Sequence, residues 1–174
     1  GRHSGEFLFK SHLASHGFVT ATVRSPKFSY LQKWDMNVID GPLDFLFALD
    51  QLASQPPEGL SGVIDTDRAG AAGYSWDGFF SLALGGVRID PAHYVSQCAQ
   101  APTLDPPLST TMLTYYCNLA GKWDQLEAYA GPTMTTSEDG LWQPLTDDRI
   151  LAVMPMAPDG AWLYGERGLA AVDI

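Results

Sequence analysis

Gly73-Tyr74-Ser75-Trp76-Asp77-Gly78 decides how this chain is read. The small residues Ala69-Gly70-Ala71-Ala72 lead into it, and Phe79, Phe80, Leu82, Ala83 and Leu84 follow it before Gly85-Gly86. That order predicts a strand, a sharp turn at Ser75 and a helix. Glycines beside a Ser at such a turn let the backbone fold back without a side chain striking the neighbouring elements. The Ser hydroxyl is then held at the carboxyl edge of a sheet, at a helix N-terminus whose N–H groups face developing negative charge. The N–H of Trp76, the residue after the Ser, is the natural oxyanion donor. The arrangement suits acyl transfer. In the pattern Gly-x-Ser-x-Gly the second Gly falls at position 77, but Asp77 stands there and Gly78 comes one place later. The same letters also fit an ordinary strand-to-helix turn with Ser75 as an N-cap.

Outward from this motif, helix and strand signals alternate. Residues 4–16 carry Phe7, Leu8 and Leu13 on helical spacing, with Ser4 as a cap and Gly17 as a stop. Residues 18–23, Phe-Val-Thr-Ala-Thr-Val, predict a short strand that ends at Ser25-Pro26. Ile39, Leu43, Leu46, Leu49 and Ala53 recur at steps of three and four, which predicts an amphipathic helix ended by Gln55-Pro56-Pro57-Glu58-Gly59. From 90 to 147 the chain is punctuated by Pro and reads as short helical stretches, 109–118 and 122–130 among them, in the manner of an insertion or lid or of ordinary connecting structure. Ile150-Leu151-Ala152-Val153-Met154-Pro155-Met156 restores a buried-strand pattern. Together these predict an α/β fold: a doubly wound, mostly parallel sheet with helices on both faces. Residues 1–89 and 148–174 form its core and residues 90–147 the helical insertion.

The composition narrows the function classes. The chain has 174 residues, enough for one domain. A chain of this length buries roughly 70% of its unfolded surface without needing metals or a disulfide framework. Net charge is −10, from 10 Lys and Arg against 20 Asp and Glu. That balance argues against a nucleic-acid partner, because neutralising phosphates needs clustered cations. No apolar run approaches the ~20 residues of a membrane-spanning helix. Charged residues are only 17% of the chain, below the ~25% of ordinary domains. Cys98 and Cys117 allow one bridge or two buried thiols, and the spacing leaves both open, as it does the cellular compartment.

Gly73-Tyr74-Ser75-Trp76-Asp77-Gly78-Phe79, with Leu13-Ala14-Ser15-His16-Gly17-Phe18-Val19 and the helix over 40–52, resembles the α/β-hydrolase superfamily. Within it, the chain is similar to the bacterial dienelactone-hydrolase-like and platelet-activating-factor-acetylhydrolase-like esterases. The likeness covers most of residues 4–89 and resumes over 148–174. It implies a Ser nucleophile at Ser75, hydrolysis of a small-molecule carboxylic ester, and no metal or organic cofactor. Dienelactone hydrolases proper use a Cys nucleophile, so Ser75 points to the esterase side.

The likeness also implies a triad in the order Ser, acid, His. Asp159, in Ala157-Pro158-Asp159-Gly160-Ala161-Trp162, stands where the acetylhydrolase branch places its acid, and a Pro-Asp-Gly turn is the plain alternative. Other branches place the acid after a later strand, one that would begin around Val172-Asp173-Ile174. The only His after Ser75 is His93, which precedes any strand that could supply the acid and reads as a helix-start residue. His12 and His16 belong to the first helix, and His3 falls in what reads as the tail of an oxyanion loop. The general base is therefore expected outside this chain, and a hydrolase of this kind is expected to have strands before Gly1 and after Ile174. A Ser hydroxyl without a base is a weak nucleophile. The rival expectation is a catalytically inactive hydrolase-fold protein that binds a ligand or partner.

Asp65, Asp67 and Arg68 read as a solvated turn, as do Asp147, Asp148 and Arg149. Trp34, Trp123, Trp142 and Trp162 read as core or lid packing, with one or two available to line an acyl pocket.

Overall fold

The computed structural model describes residues 4–23 and 36–172. Helix α1 spans Ser4–Ser15 and ends at Gly17, whose φ of 86° lets the N–H of Phe18 turn back to the carbonyl of Leu13 at 3.2 Å. The expected strand over 18–23 is not formed: this run is irregular, and Phe18 is 62% exposed. Strand propensity is realised only by pairing and packing, and among the described residues no strand lies beside it.

Helix α2, Asn37–Ser54, forms where the spacing predicts it and ends at Gln55; of the expected stripe Ile39 and Leu49 are buried and Leu46 partly so, whereas Leu43 and Ala53 are exposed. Strand β1, Ala69–Tyr74, leads through Ser75 into α3, Trp76–Leu84. The chain then runs through α4 (Pro91–Gln100), α5 (Thr110–Cys117), α6 (Trp123–Ala130) and the single turn α7 (Pro132–Thr135). It returns as β2, Ile150–Met156, followed by α8, Ala161–Leu169. Strands β1 and β2 pair in parallel, with Ala71 beside Val153 and Tyr74 beside Met156. Parallel pairing requires a long crossover, here residues 75–149.

The fold is thus mixed α/β with a two-stranded parallel sheet among the described residues. Helix α3 packs on both strands. Ala71 and Gly73 on its side of the sheet are buried, whereas Ala72 and Tyr74 on the other side are exposed. Helices on both faces were expected; among the described residues only one face is covered.

The main core is aromatic. Trp76 stacks on Phe79 (4.8 Å between centroids) and Phe79 on Tyr164 (5.0 Å), so α3 and α8 are joined by a three-ring column. Val38 and Ile39 of α2 and Tyr94, Leu119, Trp123, Leu126 and Trp142 from the 90–147 stretch complete the same cluster. The Tyr164 hydroxyl, fully buried, donates to the carbonyl of Phe79 at 3.0 Å. This core fixes α3, and with it the position of Ser75 at the carboxyl end of β1. No helix among the described residues is long and apolar enough to cross a membrane.

Candidate functional site

Ser75 has φ 58° and ψ −115°, a conformation that side-chain-bearing residues seldom adopt and that costs about 1–3 kcal/mol. The surrounding main chain holds it there. Its N–H donates to the carbonyl of Met156 at 3.0 Å, and its own carbonyl accepts from Asp159 N–H at 3.0 Å and Phe79 N–H at 3.2 Å. The Ser75 side chain makes no capping hydrogen bond to α3. The N-cap reading of the motif therefore fails: the hydroxyl is held by the backbone without being spent on the helix end.

Two glycines make the turn possible. A Cβ on Gly73 would lie 2.0 Å from the carbonyl oxygen of Asp77, so the end of β1 and the start of α3 approach too closely for any side chain. A Cβ on Gly78 would meet Pro158 Cα at 3.0 Å and the carbonyls of Gly73 and Met156 at 3.2 Å. Asp77 instead faces solvent in the first turn of α3. The small residue is needed at 78, where α3 crosses the loop after β2, and position 77 is free to carry a carboxylate that suits a helix N-terminus.

Trp76 is the first residue of α3, and first-turn N–H groups have no acceptor within their own helix. Its indole is 8% exposed and packed into the aromatic column, which anchors the main chain at this position.

Asp159 lies in the loop between β2 and α8, joined to Ser75 through the main-chain bond above. Its Oδ1 accepts the N–H of Gly160 at 2.9 Å and its Oδ2 accepts the hydroxyl of Tyr115. The structure thus brings Ser75, Trp76 and Asp159 together. It does not bring a His: among the described residues no imidazole is hydrogen-bonded to Ser75. His93 sits at the start of α4, its N–H bonded to Asp90 Oδ1 at 3.0 Å and its ring against Gly165. His12 of α1 and His16, just past its end, pair with each other in exposed positions, ring centroids 4.5 Å apart. His3, Trp34 and the expected strand start at Asp173 lie outside the described residues.

Tyr115, Tyr116 and the Cys98–Cys117 disulfide are the features of this region that the sequence reading did not single out or settle. Tyr116 stacks on Trp162 at 5.1 Å, three residues from Asp159. The run Tyr115-Tyr116-Cys117, aromatic residues beside a cysteine, was the available signal.

The remaining candidates are structural. Asp67 N–H caps back to Asp65 Oδ1 at 3.2 Å. Arg149 joins Asp147 at 2.6 Å and Asp50 at 2.7 Å, tying α2 to the approach of β2, and its guanidinium holds the Asp147 carboxyl down to about 2. Trp123 and Trp142 are core. The cavity that Trp142 lines with Val38, Phe79 and Tyr164 measures about 10 Å³, at the lower limit for one water and far below an acyl pocket. Among the described residues no three His, Cys, Asp or Glu side chains are grouped to hold a metal ion. No protein-family model, no curated protein and no solved structure matches this chain.

Proposed function

We propose that this chain carries the nucleophile of a serine hydrolase of the doubly wound α/β-hydrolase type, cleaving small carboxylic esters through an acyl-enzyme at Ser75. The single observation that carries the reading is the backbone of Ser75. A strained serine between a parallel strand and a helix, held by main-chain bonds on both sides, uses no hydroxyl for capping and costs stability that an ordinary turn would not.

In this reading the Ser75 Oγ attacks the ester carbonyl and its proton passes to an imidazole base. The N–H of Trp76 stabilises the oxyanion at the positive end of α3. Collapse expels the alcohol, protonated by the same imidazole, and water then releases the acid by the reverse sequence. Asp159, whose main-chain N–H bonds the carbonyl of Ser75, is the carboxylate that this reading assigns to orient that base. The base itself is a His outside the described neighbourhood of Ser75.

Hydrolysis of p-nitrophenyl acetate and butyrate by the full-length protein tests the reading. Turnover is expected in the wild type and a loss of about 10³-fold or more in Ser75→Ala. Equal turnover in both overturns it. The observation that favours the rival, a ligand-binding protein without catalysis, is that no imidazole reaches Ser75 among the described residues. Absence of any turnover by folded protein would favour that rival.

A further inference from the structure

Helix α5 has no buried residue, yet it is fastened at three successive positions. Cys117 is bridged to Cys98 of α4. Tyr116 lies flat on Trp162, their planes 7° apart, and its carbonyl accepts the Tyr94 hydroxyl at 2.9 Å. Tyr115 gives its hydroxyl to Asp159, whose N–H bonds the carbonyl of Ser75 at 3.0 Å. The helix is therefore two hydrogen bonds from the strained serine. An eight-residue helix without a buried face does not hold its place by propensity alone. Its fastenings decide where it sits, and the disulfide is the covalent one.

We propose that α5 is a cover for the Ser75 site, locked by the Cys98–Cys117 disulfide and latched onto Asp159 by Tyr115, so that reduction of the bridge opens access to Ser75. This rests on the reading of Ser75 as a nucleophile. In the opening step a dithiol reductant delivers two electrons and two protons to the bridge. The S–S bond breaks to two thiols and the reductant closes to its own cyclic disulfide. Helix α5 is then tied to α4 covalently only through the intervening chain, and the Tyr94–Tyr116 hydrogen bond together with the Tyr115 and Tyr116 side-chain contacts must hold it alone. Tyr115→Phe removes the latch and keeps the lock, so it opens the cover in part.

The test measures labelling rates of full-length protein with two serine-directed fluorophosphonates, one with a methyl-sized group and one with a long biotinylated chain. Oxidised wild type, dithiothreitol-reduced wild type, Tyr115→Phe and Cys98→Ala/Cys117→Ala are compared, with hydrogen exchange followed over residues 110–117 and 76–84. Reduction is expected to speed the bulky probe about fivefold or more and the small one less than about twofold, with exchange faster at 110–117 and unchanged at 76–84. Tyr115→Phe falls between the oxidised and reduced forms. Should the double variant fail to fold, reduced wild type carries the comparison. Unchanged exchange at 110–117 on reduction overturns the proposal, as does equal acceleration of both probes or equal loosening of 76–84. No labelling in any form, with 110–117 still loosening on reduction, overturns it through the nucleophile reading alone, and the exchange data distinguish that case.

Discussion

The main-chain N–H of Asp159 donates to the main-chain carbonyl of Ser75 across 3.0 Å, so the loop after β2 and the start of α3 form one unit. With the bond from Ser75 N–H to Met156, this ties both sides of the strained residue to the end of β2 and the loop that follows it. The strain is retained because its surroundings over-determine it.

Stability should report that strain directly. Ser75→Gly relieves a φ of 58° that glycine adopts freely, whereas Ser75→Ala keeps it. In urea titrations Ser75→Gly is expected to be more stable than Ser75→Ala by about 1 kcal/mol. Equal stabilities, or Ser75→Ala the more stable, would contradict the strained backbone.

The displaced glycine of the motif makes a second contrast. Gly73→Ala places a Cβ 2.0 Å from a backbone oxygen that cannot move without shifting α3, and is expected to cost about 2–4 kcal/mol. Asp77→Gly, which creates the usual Gly-x-Ser-x-Gly spacing on an exposed position, costs at most about 1 kcal/mol. Thermal or chemical melts of both variants check this, and a reversed order would contradict the packing described for Gly73.

How much of this was legible in the sequence follows from what each element depends on. α2 and α3 were readable from helical spacing, as at the buried Ile39 and Leu49, and β1 and β2 from short runs of small or apolar residues, although Leu151 and Met154 of β2, read as part of a buried strand, are exposed. Residues 18–23 have the composition of a strand, but a strand exists through its partner, and composition does not say whether one lies alongside. The importance of Gly78 over Asp77 was also hidden. It arises from the approach of Pro158, eighty residues away in sequence, and the meeting of Tyr115 with Asp159, 44 residues apart, was hidden for the same reason.

Acid sensitivity follows from two ion pairs at the surface, each with at least one partly buried member. Hydrogen bonds from the Arg88 guanidinium, the Ser137 hydroxyl and the Leu141 N–H hold the Asp139 carboxyl well below the usual carboxylate range, and Arg149 holds that of Asp147 at about 2. Both carboxyls are depressed in the folded state. Their contribution is therefore complete above the ordinary value of about 3.9 and is lost as pH falls from there towards 2. Exposure keeps it small. A series of Tm values from pH 6 to 2 should fall less steeply below pH 4 in Asp139→Asn/Asp147→Asn than in wild type; an unchanged slope would contradict the assignment.

Tyr94 joins the α4 and α5 regions from inside the core. Its hydroxyl donates to Tyr116 and accepts the N–H of Leu119 at 3.1 Å, and burial pushes its phenol up to about 12. Tyr94→Phe leaves two backbone groups unpaired and is expected to cost about 1–3 kcal/mol. A loss below about 0.5 kcal/mol in urea titrations would show that these bonds are replaced.

The central claim is that Ser75 is an activated nucleophile, and covalent labelling tests it most directly. Intact-mass measurement of the folded full-length protein after a fluorophosphonate is predicted to show one adduct, mapped by peptide sequencing to Ser75 and absent from Ser75→Ala. No adduct on folded protein, or an adduct that persists undiminished in Ser75→Ala, would contradict the account.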